Sequence, residues 1–358
     1  MATKLHGSFL QLVQLGIGAS NDSLFSKDVD WAQLKALADA QGLSAVVLDG
    51  VEILSGDNKP PKAFLLEWIG EVLQCEQTYK LHQEVATDMA NLFHKNGIKT
   101  YILKGRIIAE CYPKPEHRVS SDMDCFLLPE QSDFDAWELG NDLIKAKGFE
   151  VGTGFYKNSS FLLPGLLVEN HQFMVPFRGN KKLTNLEVLL QNLLRSDKGE
   201  DRFEGTYLYR PPVMVSALFL IEHAYSHFLH EGLTWRMVLD WVIFSRKHEK
   251  EILWCDFDAL VEEFGFKQFY DSYVRLGKYL LGKLVEGDLT KVDKKMLADV
   301  WAPLDLHETL QGVKAKFQLA GNFWRARWKY KYFTNMNWVC ALFEWVAGAI
   351  FNRYPTLD

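Results

Sequence analysis

Two aspartates, Asp122 and Asp124, are the residues whose type and spacing most directly suggest chemistry. They lie two apart in the run 122–128, whose other members are apolar. Side chains alternate between the two faces of a β-strand, so a strand here would point both carboxylates the same way. Two such carboxylates repel each other unless a cation lies between them, and Mg²⁺ prefers carboxylate and phosphate oxygens. The pair therefore indicates phosphoryl or nucleotidyl transfer and does not by itself identify a substrate.

Four residues near this pair could contact phosphate. Lys104 and Gly105 lie where a predicted strand passes into a helix, and backbone N–H groups at a helix start, together with a lysine, suit phosphate oxygens. A turn glycine beside a solvated lysine is the alternative. Arg118 could brace a triphosphate or pair with the acids, and Ser121 is a candidate hydrogen-bond donor beside them.

The surrounding pattern predicts which elements hold these residues. Helical periodicity extends from about residue 9 to 95 and returns from 211 onward. A helix over 106–111 and another that ends near Lys147, capped by Ser132 or Asp133, lie between them. Strand-like segments cover 98–103, 121–128, 149–155, 161–163, 166–177 and 183–190. We predict an α+β protein with an N-terminal helical region (1–96), an α+β core with a mixed sheet (97–210) and a C-terminal helical region (211–358).

Composition excludes several classes of protein. The 358 residues are 48% hydrophobic and 24% charged, which is ordinary for a folded chain. The net charge of −6 argues against a protein that coats nucleic acid, although a local basic patch stays open. The N-terminal residues lack the apolar core of a signal peptide, and no stretch of about 20 residues is free of charge. We therefore predict a cytoplasmic protein that does not span a membrane.

Histidines and aromatic residues of the helical region have two interpretations each. His223, His227 and His230 fall on one face of a helix, a spacing that can bind zinc, but we favour packing beneath the catalytic unit. Arg236 and Asp240 lie four apart and are expected to be structural. The basic and aromatic segment 324–332 could stack on nucleobases, but such segments more often bury their aromatic rings. Segment 337–351 predicts an apolar helix for core or oligomer contacts.

The motif series resembles a known family. It includes Lys104–Gly105, Tyr112–Pro113, Arg118, Asp122-Met123-Asp124, a His-x-x-x-His helix at 223–227 and an Arg-x-x-x-Asp helix at 236–240. This series is similar to that of the bacterial uncharacterised nucleotidyltransferases, within the polymerase-β-like nucleotidyltransferase superfamily. The resemblance covers about residues 30 to 250. It implies a third acid on a later strand, for which Glu187 is the candidate, and a role for His171 as a base or in positioning the acceptor.

The resemblance also implies a function. Asp122, Asp124 and Glu187 would bind Mg²⁺ or Mn²⁺, and Lys104, Gly105, Arg118 and Ser121 would contact an NTP such as ATP. An acceptor hydroxyl or phosphate would receive the NMP. The alternative is a non-catalytic nucleotide-binding or protein-interaction module, favoured by Arg106 where the superfamily usually has Gly or Ser. Because three carboxylates would repel one another, Asp124→Asn is expected to leave the metal-free protein at least as stable.

Overall fold

A computed structural model provides the fold. The structure describes residues 4–20, 25, 28–131, 134–152, 156–177, 180–301, 324, 326–334 and 339. The proposed cap residues Ser132 and Asp133 lie outside this part of the chain, as does nearly all of segment 337–351. In the described residues, Asp135 caps the helix that follows, since its carboxylate accepts the backbone N–H of Glu138 at 3.0 Å.

Four helices precede the sheet. They are α1 (Lys4–Gly16), α2 (Trp31–Ala40), α3 (Ser44–Ile53) and α4 (Lys62–His94). The long helix α4 begins directly after Pro61, where proline is compatible with a helix start, and its last residues contact the first strand of the sheet. Buried side chains from these helices and from the sheet belong to one continuous apolar core.

A six-stranded mixed sheet forms the centre of the fold, which confirms the α+β prediction. Its strands are β1 (Ile98–Ile102), β2 (Asp122–Pro129), β3 (Val151–Gly152), β4 (Asn158–Leu163), β5 (Leu166–His171) and β6 (Leu208–Tyr209). The order across the sheet is β3-β4-β5-β2-β1-β6. Strand β2 is antiparallel to β1 and parallel to β5, so it has hydrogen-bonded neighbours on both sides. Its continuous apolar run is typical of a central strand buried on both faces.

The register of β2, β5 and β4 defines one face of the sheet. Asp122 is opposite Leu167, Asp124 is opposite Glu169, and Phe126 is opposite His171. Strand β4 continues these rows with Leu162, Ser160 and Asn158 respectively. Because paired residues of adjacent strands share a face, all nine side chains point the same way. We call this the carboxylate face.

Helices cover both sides of the sheet. The helices inserted among the strands are α5 (Arg106–Ala109), α6 (Ala136–Ala146) and α7 (Lys181–Ser196). Helix α6 packs on the face opposite the carboxylates, where the indole N–H of Trp137 donates to the Asn170 carbonyl at 2.9 Å. On the carboxylate face, the ring of Phe219 lies edge-on to His171, with 6.2 Å between the ring centroids.

The strand predicted over 183–190 is wrong, because these residues belong to helix α7. The side chain of Asn180 accepts backbone N–H groups of the first turn, and the buried residues Leu186, Leu190 and Leu194 recur every four positions. Two further strands are shorter than predicted, since β3 ends at Gly152 and β5 at His171.

The C-terminal part is helical, as predicted. It contains α8 (Val213–His230), α9 (Trp235–Lys247), α10 (Trp254–Glu263), α11 (Lys267–Leu280) and α12 (Lys291–Trp301), followed by helical residues 326–333. Lys329 from the last helix is buried, donates to the Phe228 carbonyl at 2.7 Å and pairs with Asp299 at 2.8 Å. This basic and aromatic segment therefore packs against the protein. No helix in the described part of the chain is long and apolar enough to cross a membrane.

Candidate functional site

The centre of the candidate site is a contact between two parallel strands. Asp124 of β2 and Glu169 of β5 are direct register partners, and His171 lies two residues further along β5. The Nε2 atom of His171 is 2.9 Å from Asp124 Oδ1 and 3.7 Å from Glu169 Oε2. One ligand atom from each of the three residues lies within 4.8 Å of the other two. This is the only such group of potential metal ligands within the described ranges.

Burial and charge act in opposite directions on this cluster. Asp124 and His171 are 2% and 1% exposed, whereas the Glu169 side chain is 32% exposed. Burial alone would raise the pKa of Asp124, but the charge of Lys104 and the His171 hydrogen bond hold that pKa well below its usual range. Burial and the charge of Lys157 would lower the pKa of His171, but contact with the two carboxylates raises it. The resting cluster is therefore ionised and internally paired.

Lys104 faces the carboxylates. Its Nζ lies 3.2 Å from Asp124 Oδ2 and 2.8 Å from Nε2 of His223 on α8. Burial and the nearby Lys104 charge lower the pKa of His223 well below its usual range, so its neutral ring accepts the hydrogen bond from Lys104. The lysine predicted to contact phosphate is thus held beside the catalytic candidates by a carboxylate and an imidazole.

Asp122 lies at the open end of the carboxylate face. Its carboxylate is half-buried, and the Ser121 hydroxyl is 3.4 Å from it, a long and weak hydrogen bond. The adjoining row is apolar and accessible, because Leu167 and Leu162 are 38% and 65% exposed. A ligand entering from this end would meet Asp122 first and Asp124 behind it.

Gly105 is required by the turn that carries Lys104. Its φ is +75°, a conformation that side-chain-bearing residues rarely adopt. The turn lies against the start of β2, since a Cβ at this position would be 3.5 Å from the Ser120 hydroxyl. Gly105 therefore directs Lys104 toward the carboxylate face.

Arg118 is placed away from the carboxylates. Its Nε and Nη2 donate to both oxygens of Asp240 at 2.9 and 2.8 Å, and the Tyr112 hydroxyl donates to the same carboxylate at 2.7 Å. The Arg118 side chain is 1% exposed. Arg236 contacts the Val119 carbonyl at 2.8 Å. The Tyr112, Arg118 and Asp240 motifs thus form a buried brace between β2 and α9, and the triphosphate contact expected of Arg118 does not match this placement.

Glu187 is also placed differently from the prediction. It is fully buried on α7, where its carboxylate accepts the Val175 backbone N–H at 2.8 Å and the Gln191 side-chain amide at 2.6 Å. Burial raises the pKa of this carboxyl. A sealed carboxylate held by two local donors supports the chain around Val175 and does not converge on the cleft. The carboxylate that lies opposite Asp124 is instead Glu169.

Two residues of the site were missed from the sequence. Glu169 is an isolated acid in an apolar strand and lies two residues before His171, which is the same spacing as in the aspartate pair. That repeated spacing was the available signal. His223 was assigned to packing, and its contact with Lys104 spans 119 positions, which no local pattern reveals. The zinc alternative is not supported, since His223 is paired with Lys104 and His227 with Glu231 at 2.6 Å.

Comparison with known proteins agrees with this site. No curated protein and no solved structure matches the chain. The family described as "Uncharacterised nucleotidyltransferase" matches residues 27–282, which include the whole sheet, the aspartate pair and helices α8 and α9. Because this match covers well over half of the chain, the protein belongs to the uncharacterised nucleotidyltransferase family.

Proposed function

We propose that the protein is a metal-dependent nucleotidyltransferase that transfers an NMP from an NTP to an acceptor hydroxyl or phosphate. The observation that carries the proposal is the register of β2 with β5, which brings Glu169 opposite Asp124 while Asp122 faces the open end of the same surface. Membership of the family supports the reaction class.

The side chains fit a divalent ion. Asp124 Oδ2 is buried and accepts no hydrogen bond within the described chain, although Lys104 Nζ is 3.2 Å away. Together with Asp122 and Glu169 it supplies the oxygen ligands that Mg²⁺ prefers, and His171 adds a nitrogen that Mn²⁺ accepts. We propose Asp122, Asp124 and Glu169 as the metal ligands. When bound, the ion would neutralise phosphate charge and favour ionisation of the acceptor hydroxyl.

The chain's own residues would position the reactants. Lys104 would exchange its contact with Asp124 for a phosphate oxygen, since a flexible ammonium can move between two anions without losing its bond to His223. His171 holds Asp124 through Nε2, while its Nδ1 lies 3.2 Å from the Phe173 carbonyl. Both ring nitrogens are engaged, so His171 is a positioning residue in this mechanism. The Gly105 turn fixes the direction of Lys104.

A matched pair of variants tests the third ligand. Glu169→Gln and Glu187→Gln make the same chemical change on the two candidate acids. We expect Glu169→Gln to abolish the stabilisation by Mn²⁺ plus NTP in thermal unfolding and to abolish transfer of labelled NMP to components of a cell extract. Glu187→Gln should retain both signals, with lower basal stability. Equal loss of ligand response in both variants, or loss only in Glu187→Gln, would contradict the assignment.

A non-catalytic nucleotide-binding module is the second candidate. The observation that favours it is that the Lys104 ammonium already lies beside Asp124, where a metal would otherwise balance the charge. This candidate predicts that NTP binds equally well in EDTA and in Mg²⁺ and that no pyrophosphate is released. Metal-dependent binding followed by pyrophosphate release would exclude it.

A further inference from the structure

A separate cavity lies on the side of the sheet opposite the carboxylate face. Tyr79 and Gln83 of α4 form one wall, and Ile102 and Met123 of the sheet form the other. Met123 alternates with Asp122 and Asp124 along β2, so its side chain points away from the carboxylates. The cavity has a volume of about 40 Å³.

Three polar groups that line this cavity have no partner among the described residues. They are Nε and Nη1 of Arg106, Nη1 of Arg118 and Oε1 of Gln83, and all of these atoms are buried. A guanidinium without an acceptor is costly to bury, because its lost hydration is not replaced. Burial lowers the pKa of Arg106, which is the expected direction for a desolvated cation. The cavity therefore contains more hydrogen-bond donors than the protein itself satisfies.

The guanidinium of Arg106 is fixed in place by stacking. It lies over the Phe203 ring, with 4.3 Å from its central carbon to the ring centroid, and Arg210 contacts the same ring at 4.0 Å. Arg210 is held by Glu110 at 2.8 Å, whereas Glu110 is 3.9 Å from Arg106, too far for a hydrogen bond. Stacking uses the face of a guanidinium and leaves its N–H edge free for a planar contact.

We propose that this cavity is a binding site for a small oxyanion of phosphate size. Arg106 would donate through Nε and Nη1, in the two-point arrangement that guanidinium makes with phosphate, and Arg118 would add a third bond through Nη1. The Gln83 amide, rotated about its last bond, would offer its N–H₂ group. A volume of about 40 Å³ admits a group of this size or a few waters and excludes a nucleoside.

Phosphate-dependent stability tests the site without nucleotide or metal. Wild-type protein in EDTA is unfolded thermally in sodium phosphate and in sodium chloride at matched ionic strength. We expect phosphate to raise Tm by about 2 °C or more over chloride, as a ligand of the folded state does. Arg106→Gln should lose this gain. Arg246→Gln, which changes an exposed arginine of α9, is the matched control and should keep it.

Two more variants distinguish phosphate bound in this cavity from phosphate bound at the carboxylate face. Lys104→Ala removes the cation of the carboxylate face and should keep the phosphate gain, which excludes the nucleotide cleft as its source. Gln83→Glu places a carboxylate in the cavity and should raise Tm in chloride while it removes the phosphate gain. This variant keeps the test decisive if Arg106→Gln does not fold. Equal Tm values of wild type in the two salts, an undiminished phosphate gain in Arg106→Gln or Gln83→Glu, or loss of the gain in Lys104→Ala would overturn the proposal.

Discussion

Replacing Asp124 by Asn changes one charge in the candidate site and nearly nothing in its shape. The sequence alone suggested that this change relieves repulsion among carboxylates. The structure reverses the expectation, because Asp124 lies between two cationic partners. His171 donates to it at 2.9 Å, and Lys104 is 3.2 Å away. Asp124→Asn would leave both partners buried without a balancing anion.

The magnitude follows from these contacts. Removing one member of a buried ion pair typically costs about 3–5 kcal/mol. Asparagine keeps an oxygen for His171, and Lys104 keeps its bond to His223 and is 12% exposed, so part of the cost is avoided. We therefore expect Asp124→Asn to lower the free energy of unfolding by about 2–4 kcal/mol in metal-free buffer at pH 7.

Urea unfolding in EDTA measures this quantity, with Asp122→Asn as the matched control. Asp122 is half-buried and has one weak contact with Ser121, so its variant should stay within about 0.5 kcal/mol of wild type. Each m value should match that of wild type, so that the midpoint reports stability alone. An Asp124→Asn protein as stable as wild type, or more stable, would refute the reasoning and restore repulsion as the dominant effect.

Three further predictions concern buried charges away from the metal ligands. Arg118→Lys removes the two-point contact with Asp240 and should cost about 3 kcal/mol or more in urea unfolding, because an ammonium cannot reproduce that geometry; a loss below about 1 kcal/mol would disagree. His117 is buried between two carboxylates; burial alone would lower its pKa, but these partners raise it above 6.5. The stability contributed by its charge is complete below pH 6.5 and lost above the folded pKa, so the advantage of wild type over His117→Gln should fall as pH rises from 6 to 9, and a constant difference would exclude this linkage. Burial raises the pKa of Glu222 from 4.5 to about 7, so the folded state retains a proton that the unfolded state releases, and wild type should lose up to about 3 kcal/mol relative to Glu222→Gln between pH 4.5 and 7. Parallel pH–stability curves for this pair would contradict the last prediction.

The sequence by itself determined the features that depend on neighbouring residues. The alternation in 122–128 predicted a strand with both aspartates on one face, and β2 confirms that strand. The change from helical to strand periodicity near residue 97 and back near 211 predicted the α+β class, because periodicity follows directly from backbone geometry. The motif series around Asp122 was sufficient to indicate the family.

Tertiary structure decided which distant residues complete the site. Glu169 and Glu187 are both isolated acids in apolar surroundings, and only the register of β5 with β2 distinguishes them. Arg118 lies four residues from Asp122, yet its partner is Asp240, 122 positions away. A side chain's role depends on what the fold places within hydrogen-bond distance, and such pairings arise from packing of whole elements. Local sequence therefore specified the aspartate strand, while the assembled sheet and helices specified its partners.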